Sequence, residues 1–118
     1  MKLVGDAMNP KYERQLKKGV LEMLVLKLLS KEKMYGFQLI QKLQLCNSKY
    51  FSLKEGTLYP ILYRLEDDGL VKSEKIVNKP KELAKKYYVI TDQGVEVLKE
   101  LEILWKDFSK EVSKIMED

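Results

Sequence analysis

The sequence predicts an α+β fold that is mainly α-helical and carries one small β-hairpin. Leu58, Ile61, Leu62 and Leu65 follow the i, i+3, i+4, i+7 spacing of a helix with one buried face. Gly69 ends this helix, because glycine adopts the left-handed conformation after a last helical turn without a steric penalty. Two short runs with strand character come next, and the last stretch of the chain returns to helical spacing. This order of elements indicates a winged helix-turn-helix followed by a long C-terminal helix.

The composition suits one domain with an appendage. The chain has 118 residues, of which 45% are hydrophobic and 34% are charged, as in ordinary helix-rich soluble proteins. No apolar run approaches the ~20 residues of a membrane span, and the N-terminus lacks the apolar core of a secretory leader. We therefore expect a cytoplasmic protein.

The residue types also restrict the chemistry. Cys46 is the single cysteine and histidine is absent. This argues against an intrachain disulfide, a multi-thiolate metal site and the usual acid–base catalysis. We therefore expect neither an enzyme nor a bound cofactor or metal.

The formal net charge of +4 hides an uneven distribution. Residues 1–90 hold 18 Lys and Arg against 10 Asp and Glu, a net +8, whereas residues 91–118 hold 4 against 8, a net −4. A basic body favours attraction to nucleic-acid phosphates, since long-range steering follows the local field. Solvated faces that differ by chance would give the same totals, so the charge alone leaves both interpretations open.

Residues 1–12 are predicted to form a flexible N-terminal arm, with Asn9-Pro10 as a turn just before a helix. From Glu13 onward, apolar residues cover more than one face over about four turns. Such a helix must be buried on two sides, and a single small domain can bury only one of them. The second side is expected to meet the C-terminal helix or a second subunit.

A short second helix is predicted to begin after Tyr35-Gly36 and to end near Cys46. Residues 48–53 connect it to a helix over residues 54–68. In a helix-turn-helix the earlier of two such helices supports the later one, which reads DNA. Pro60 allows two interpretations of that second helix. Either Pro60 lies inside a helix that begins near Leu53, or it lies in the first turn of a helix capped by Thr57.

The side of this helix opposite the leucine stripe is available for binding. It carries a cation, a hydroxyl, two phenols and a guanidinium, which can meet phosphates or base edges. A glycine among them lets the backbone approach DNA closely. The candidate DNA contacts are Lys54, Gly56, Thr57, Tyr59, Tyr63 and Arg64.

Residues 72–88 are predicted to form the wing, two strands joined by the turn-forming sequence Asn-Lys-Pro-Lys at 78–81. Residues 72–86 contain six lysines and two glutamates. Each lysine that meets a phosphate adds salt-dependent, sequence-blind affinity. The candidate phosphate contacts are Lys79, Lys81, Lys85 and Lys86.

Thr91 and Asp92 make a good helix start, and residues 91–118 are predicted to form one long dimerisation helix. Its apolar residues make two neighbouring stripes, which need two partners. Self-association across a two-fold axis is the favoured interpretation, and packing back on the first helix of the same subunit is the alternative. The residues predicted at this dimer and ligand interface are Leu16, Val20, Leu101, Leu104, Trp105, Phe108 and Val112.

Several short motifs together resemble the PadR family of bacterial transcriptional regulators. Residues 55–60 read Glu-Gly-Thr-Leu-Tyr-Pro, and residues 64–71 match the family's Arg-Leu-Glu-x-x-Gly-Leu-Val ending. The family's wing glycines and arginine are replaced here by residues 82–84, Glu-Leu-Ala, which leaves the turn type of the wing open. The other matching positions are Tyr35-Gly36, Lys86-Tyr87-Tyr88, Thr91 and Gly94.

The resemblance implies a homodimeric repressor, of the small type with a single C-terminal helix, that binds an inverted-repeat operator on double-stranded DNA. It adds Tyr35 to the DNA contacts and implies that Trp105 lines a space between subunits, where some members stack flat aromatic drugs. An interface anchor is the interpretation of Trp105 that we favour. The alternative function is a winged-helix protein-interaction module without sequence-specific DNA binding, in which Tyr59 and Tyr63 grip a protein partner.

Overall fold

The computed structural model describes residues 9–46, 50–51 and 53–118. Within these residues the chain forms four helices and three strands, which confirms the predicted α+β class with a winged helix-turn-helix and a long C-terminal helix. The elements in order are α1 Pro10–Lys31, β1 Met34–Tyr35, α2 Gly36–Leu45, α3 Glu55–Asp67, β2 Val71–Ile76, β3 Lys85–Ile90 and α4 Asp92–Glu117. No helix among the described residues is long and apolar enough to cross a membrane.

Helix α1 begins one turn earlier than the sequence predicted. The Asn9 side chain accepts a hydrogen bond of 2.9 Å from the Lys11 N–H, and Pro10 occupies the first helical position, where its missing N–H has no intrahelical partner to lose. Residues 10–12 of the predicted flexible arm therefore belong to the helix. Residues 1–8 of that arm lie outside the described residues, as do residues 47–49 and 52, which include part of the predicted connection 48–53.

The strands form one antiparallel sheet in the order β1-β3-β2. The wing strands pair from Val71 opposite Ile90 to Ile76 opposite Lys85, as the hairpin prediction requires. Strand β1 was not predicted: Met34 pairs with Tyr88 and joins the wing to the helical body. Two residues are too few to show an alternating pattern, so this strand leaves no trace in the sequence periodicity.

The core lies between the second half of α1, helices α2 and α3, and the sheet. Leu58 and Leu62 are fully buried and Leu65 nearly so, which confirms the predicted buried face of α3. Burying each such leucine contributes about 1.5–3 kcal/mol, so this stripe fixes which face of α3 remains outside. Gly69 ends the helix region with a positive φ of 75°, the conformation predicted for it.

Pro60 lies inside α3, so the interpretation with Thr57 as the helix cap was wrong. Lys54 is the N-cap residue and Pro60 is surrounded by helix on both sides. Proline cannot donate to the Gly56 carbonyl, and this loss is tolerated because both residues are exposed, where water can satisfy the oxygen. The first two turns of α3 therefore present backbone as well as side chains to the surface.

The wing ends in a tight turn whose type the sequence left open. The Glu82 N–H donates to the Lys79 carbonyl oxygen at 3.2 Å, Pro80 follows Lys79, and Lys81 has a φ of 70°. Proline at the second position and a left-handed residue at the third define a type II turn. A lysine rather than a glycine takes the left-handed position, and this costs on the order of 1 kcal/mol.

Candidate nucleic-acid interface

The outer face of α3 is opposite its leucine stripe. Because each helical residue turns by about 100°, Gly56, Pro60 and Tyr63 lie at the centre of this face. All three are exposed, and the Tyr63 side chain is 51% exposed. Thr57 and Arg64 lie at the edge next to α1, and Tyr59 lies at the other edge. The structure thus brings most of the predicted reading residues onto one surface.

Tyr59 is less available than the sequence suggested. Its ring packs over Gly36 at the start of α2, where an added methyl group would lie 2.5 Å from the Tyr59 hydroxyl oxygen. Tyr59 is half-buried against the core, with its ring centroid 6.2 Å from that of Tyr63. It therefore packs α2 against α3, and a side chain at position 36 would have to displace the phenol of Tyr59.

Arg64 is turned toward α1 rather than along the outer face of α3. Its Nε and Nη2 atoms donate to one carboxylate oxygen of Glu22 at 3.0 and 2.8 Å. An exposed ion pair of this kind contributes only about 0–1 kcal/mol, so an arriving phosphate can compete for the guanidinium. Sequence reasoning missed Glu22, because nothing local links two residues on different helices.

Tyr35 and Lys85 lie together beside the wing, where β3 begins. The Lys85 ammonium is 4.6 Å from the centroid of the Tyr35 ring, and that ring meets Tyr87 edge-on with centroids 5.2 Å apart. Asn78 donates from its side-chain amide to the Tyr87 hydroxyl at 3.0 Å. Tyr35 and Lys85 thus help to support the strands of the wing.

Lys86 points into the seam between α3 and the wing. Its ammonium lies 5.7 Å from the Tyr63 ring centroid and 5.4 Å from that of Tyr88, and 3.9 Å from a Glu66 carboxylate oxygen. The other Glu66 oxygen accepts from the Ser73 hydroxyl at 2.6 Å. These contacts tie the wing to α3, so the two present one continuous surface.

Lys79 and Lys81 occupy the exposed tip of the wing, in the type II turn. They are the predicted wing cations best placed to reach a phosphate backbone, because the tip extends beyond the paired strands.

Among the described residues, no cluster of His, Cys, Asp and Glu could hold a metal ion.

The buried phenol of Tyr88 gives the fold a dependence on alkaline pH. Burial raises the pKa of Tyr88, and the neighbouring Lys86 ammonium partly offsets that increase. Above a pH of about 10 the unfolded chain loses this proton first, so the free energy of unfolding falls until the pH passes the raised pKa of the folded state.

We therefore expect the wild-type protein to lose more stability than a Tyr88→Phe variant between about pH 9 and pH 11. Urea unfolding at the two pH values measures the difference, and the variant controls for the lysines and other tyrosines that titrate in the same range. Equal losses in both proteins would contradict the assignment.

An apolar cleft runs along the other side of the molecule, between α1 and α4. The first half of α4 packs on the core through Leu98, and Lys27 forms an ion pair with Glu102 at 3.4 Å. Beyond that point the apolar side chains of α4 are exposed. All seven residues predicted at the dimer and ligand interface line one cavity of about 570 Å³.

A second cavity of about 660 Å³ continues this cleft on the other side of Trp105. It adds Tyr12, Tyr50 and Phe51, which sequence reasoning missed, and it shares Met23 with the first cavity. Tyr12 and Phe51 carried no periodic signal, because one lies at a helix start and the other in a connection. The two cavities make Trp105 the centre of one exposed apolar surface.

The comparisons with known proteins agree with this geometry. A family model described as the transcriptional regulator PadR-like family matches residues 25–100. A PadR-like transcription factor from Bacteroides fragilis is similar with 38% sequence identity and a TM-score of 0.73, over 89% of this chain and 98% of that chain. A PadR family transcriptional regulator from Eggerthella lenta is 35% identical with a TM-score of 0.79, over 92% of this chain and 91% of that chain. An uncharacterized protein of Lysinibacillus sphaericus is 30% identical over 101 residues, which are 85% of this chain and 91% of that protein. The chain therefore belongs to the PadR-like family of transcriptional regulators, whose winged-helix fold it shares.

Proposed function

We propose that this protein is a homodimeric, cytoplasmic transcriptional repressor that binds an inverted-repeat operator through α3 and the wing. The observation that supports this function best is the outer face of α3. It presents Gly56, Thr57 and Tyr63 beside a wing with lysines at its tip, on a fold whose family regulates transcription. Thr57 and Tyr63 supply hydrogen-bonding groups for base edges, and Lys79 and Lys81 supply charge for phosphates.

The exposed apolar surface around Trp105 supports the dimer. Trp105 is 50% exposed, Phe108 64% and Leu16 80%, and a contiguous apolar patch of this kind marks an interaction site. In a two-fold interface each subunit presents the same patch, so residues 91–118 act as the dimerisation helix of a DNA-binding unit over residues 13–90. Two reading helices held about 34 Å apart would then meet successive major grooves of the operator.

A planar aromatic effector bound beside Trp105 would change the distance between the two reading helices. The cavity of about 570 Å³ has the size and apolar lining of small-molecule sites, and an indole offers a stacking surface. Such a ligand releases DNA only if its affinity for the DNA-bound geometry of the dimer differs from its affinity for the free geometry. Quenching of Trp105 fluorescence by a set of planar cationic dyes tests this part, and no quenching by any dye would leave Trp105 as an interface anchor.

Selection of bound fragments from the host genome, followed by footprinting, tests the DNA-binding function directly. The expected footprint is an inverted repeat with half-site centres about one helical turn apart. Binding of duplexes that is insensitive to salt would favour the protein-interaction module instead, because phosphate contacts release counterions.

Substitutions on α3 and on the wing are expected to have different effects. Thr57→Ala should weaken the operator complex about tenfold while leaving the affinity for a mixed-sequence duplex nearly unchanged. A double variant, Lys79→Ala with Lys81→Asn, should weaken both duplexes alike and lower the salt slope by about 1 for each phosphate that is no longer neutralised; asparagine tolerates the left-handed conformation of Lys81. Fluorescence anisotropy titrations at several salt concentrations measure both effects. An unchanged salt slope in the double variant would exclude the wing tip from the interface.

A further inference from the structure

A groove with basic walls separates the first half of α1 from the first turns of α3. It has a volume of about 480 Å³ and an apolar floor that includes Leu21, Leu53 and Ile61. Arg14, Lys17 and Lys18 form its α1 wall, and Thr57 and Arg64 belong to its α3 wall. The groove therefore borders the proposed reading surface directly.

The two sides of α1 differ in this region. The buried residues of α1 begin at Leu21, so the first half of the helix projects beyond the core. Leu16 and Val20 face the apolar cleft beside Trp105, whereas Arg14 and Lys18, about one turn apart, face α3. Because the proposed dimer contact uses the apolar side, the basic side of α1 remains open to solvent in the dimer.

The charges in the groove are not balanced. Lys17 is 3.6 Å from Glu13, and Arg64 is paired with Glu22. Arg14 and Lys18 are exposed, and neither forms an ion pair with a carboxylate among the described residues. Lys11 is exposed one turn before Arg14 on the same side. A row of neighbouring cations with this excess of positive charge favours an anionic partner.

The position of these cations identifies that partner. On α3, Tyr63 and Glu66 face the wing through Lys86, whereas Thr57 and Arg64 face α1. The wing and the first half of α1 thus lie on opposite sides of the outer face of α3. A helix in a major groove has a phosphate strand on each side, so the α1 cations are continuous with the surface proposed to bind DNA.

We infer that Lys11, Arg14 and Lys18 bind the phosphate backbone on the side of the major groove opposite to the wing. This inference rests on the proposed function and adds a second set of phosphate-binding residues to it. Their contribution is sequence-blind and depends on salt, and it holds α3 in the groove from the other side.

Anisotropy titrations of a mixed-sequence duplex of about three helical turns test the inference. An Arg14→Gln and Lys18→Gln double variant should bind about tenfold more weakly at moderate salt, with a salt slope lowered by about 1 for each phosphate that the variant no longer binds. Glutamine has a helix propensity close to that of arginine and lysine, and both positions are exposed, so folding is preserved. An Arg14→Lys and Lys18→Arg double variant should retain the wild-type slope.

The matched control removes two lysines from the outer side of α4, by Lys106→Gln and Lys110→Gln. Both are exposed and lie opposite the apolar stripe of that helix, so only the net charge changes. An equal fall in slope in this control, or no fall in the Arg14 and Lys18 variant, would overturn the inference. If the wing double variant still lowers the slope in that case, the proposed function stands. A wild-type protein that binds no duplex would overturn both.

Discussion

A protein in which Trp105 and Phe108 are both replaced by glutamate is expected to be a monomer. The two aromatic side chains are exposed in the single chain, and the proposed two-fold interface would bury both of them in each subunit. Full burial of an exposed aromatic contributes about 1.5–3 kcal/mol, and roughly half of each side chain is still exposed, so the four together contribute about 3–6 kcal/mol. The dissociation constant of the dimer should therefore rise by a factor of about 10² to 10⁴. Sedimentation velocity would then give one particle of 13.9 kDa instead of twice that mass.

Dissociation of the dimer should also weaken DNA binding. A monomer would bind one half-site of the proposed operator, and it would lack the high effective concentration that a second, linked reading helix provides. We expect the operator affinity to fall by at least about a hundredfold, with a smaller decrease on a mixed-sequence duplex. The comparison of the two duplexes separates the effect of dimer dissociation from any weakening of phosphate binding.

Ile103→Glu is the matched control for this experiment. Ile103 is 62% exposed and lies on the side of α4 opposite the apolar stripe, so the same chemical change occurs outside the proposed interface. This variant should keep the wild-type mass and the wild-type operator affinity. A wild-type protein that sediments as a monomer, or a dimer that survives the Trp105 and Phe108 replacements, would contradict the proposed interface.

Features that depend on neighbouring residues in the sequence could be predicted. The buried face of α3 follows from the spacing of four apolar residues, and the left-handed Gly69 follows from the need to end that helix. The seven residues along the α1–α4 cleft were identified from helical spacing in the same way. In each case the signal for a residue lies within its own helix or turn.

Features that depend on how elements pack could not be predicted. Arg64 and Glu22 are 42 positions apart in the chain, and their pairing redirects a predicted DNA contact. Tyr59 was predicted on the free face, and its packing over Gly36 appears only when α2 and α3 are side by side. Lys86 shares its sequence context with the other wing lysines, but its position in the strand register turns it toward Tyr63. Residue type therefore predicted the kind of surface, and packing decided which side chains reach it.

A Gly94→Ala variant is expected to be less stable than the wild type by about 2–3 kcal/mol. Helix propensity alone predicts the opposite, because alanine is favoured over glycine inside a helix by about 1 kcal/mol. However, Gly94 is buried at the start of α4, and an added methyl group would collide with the Leu70 carbonyl oxygen and lie 2.7 Å from an Ile90 side-chain carbon. A backbone carbonyl cannot rotate away as a side chain does, so α4 must shift.

That shift would also break the hydrogen bonds that hold the start of α4. The Thr91 hydroxyl donates to the Gly69 carbonyl at 2.7 Å and accepts from the Gly94 N–H at 3.0 Å. Thr91 therefore links the glycine that follows α3 to the first turn of α4. Thermal unfolding followed by circular dichroism should show a Tm lower by roughly 4 °C for each kcal/mol of destabilisation. Gly56→Ala is the matched control, since Gly56 also lies in the first turn of a helix and has nothing within 4 Å of an added methyl group. We expect this control to keep or slightly raise the Tm, and a Gly94→Ala protein as stable as the control would contradict a close contact between α4 and the Leu70 carbonyl.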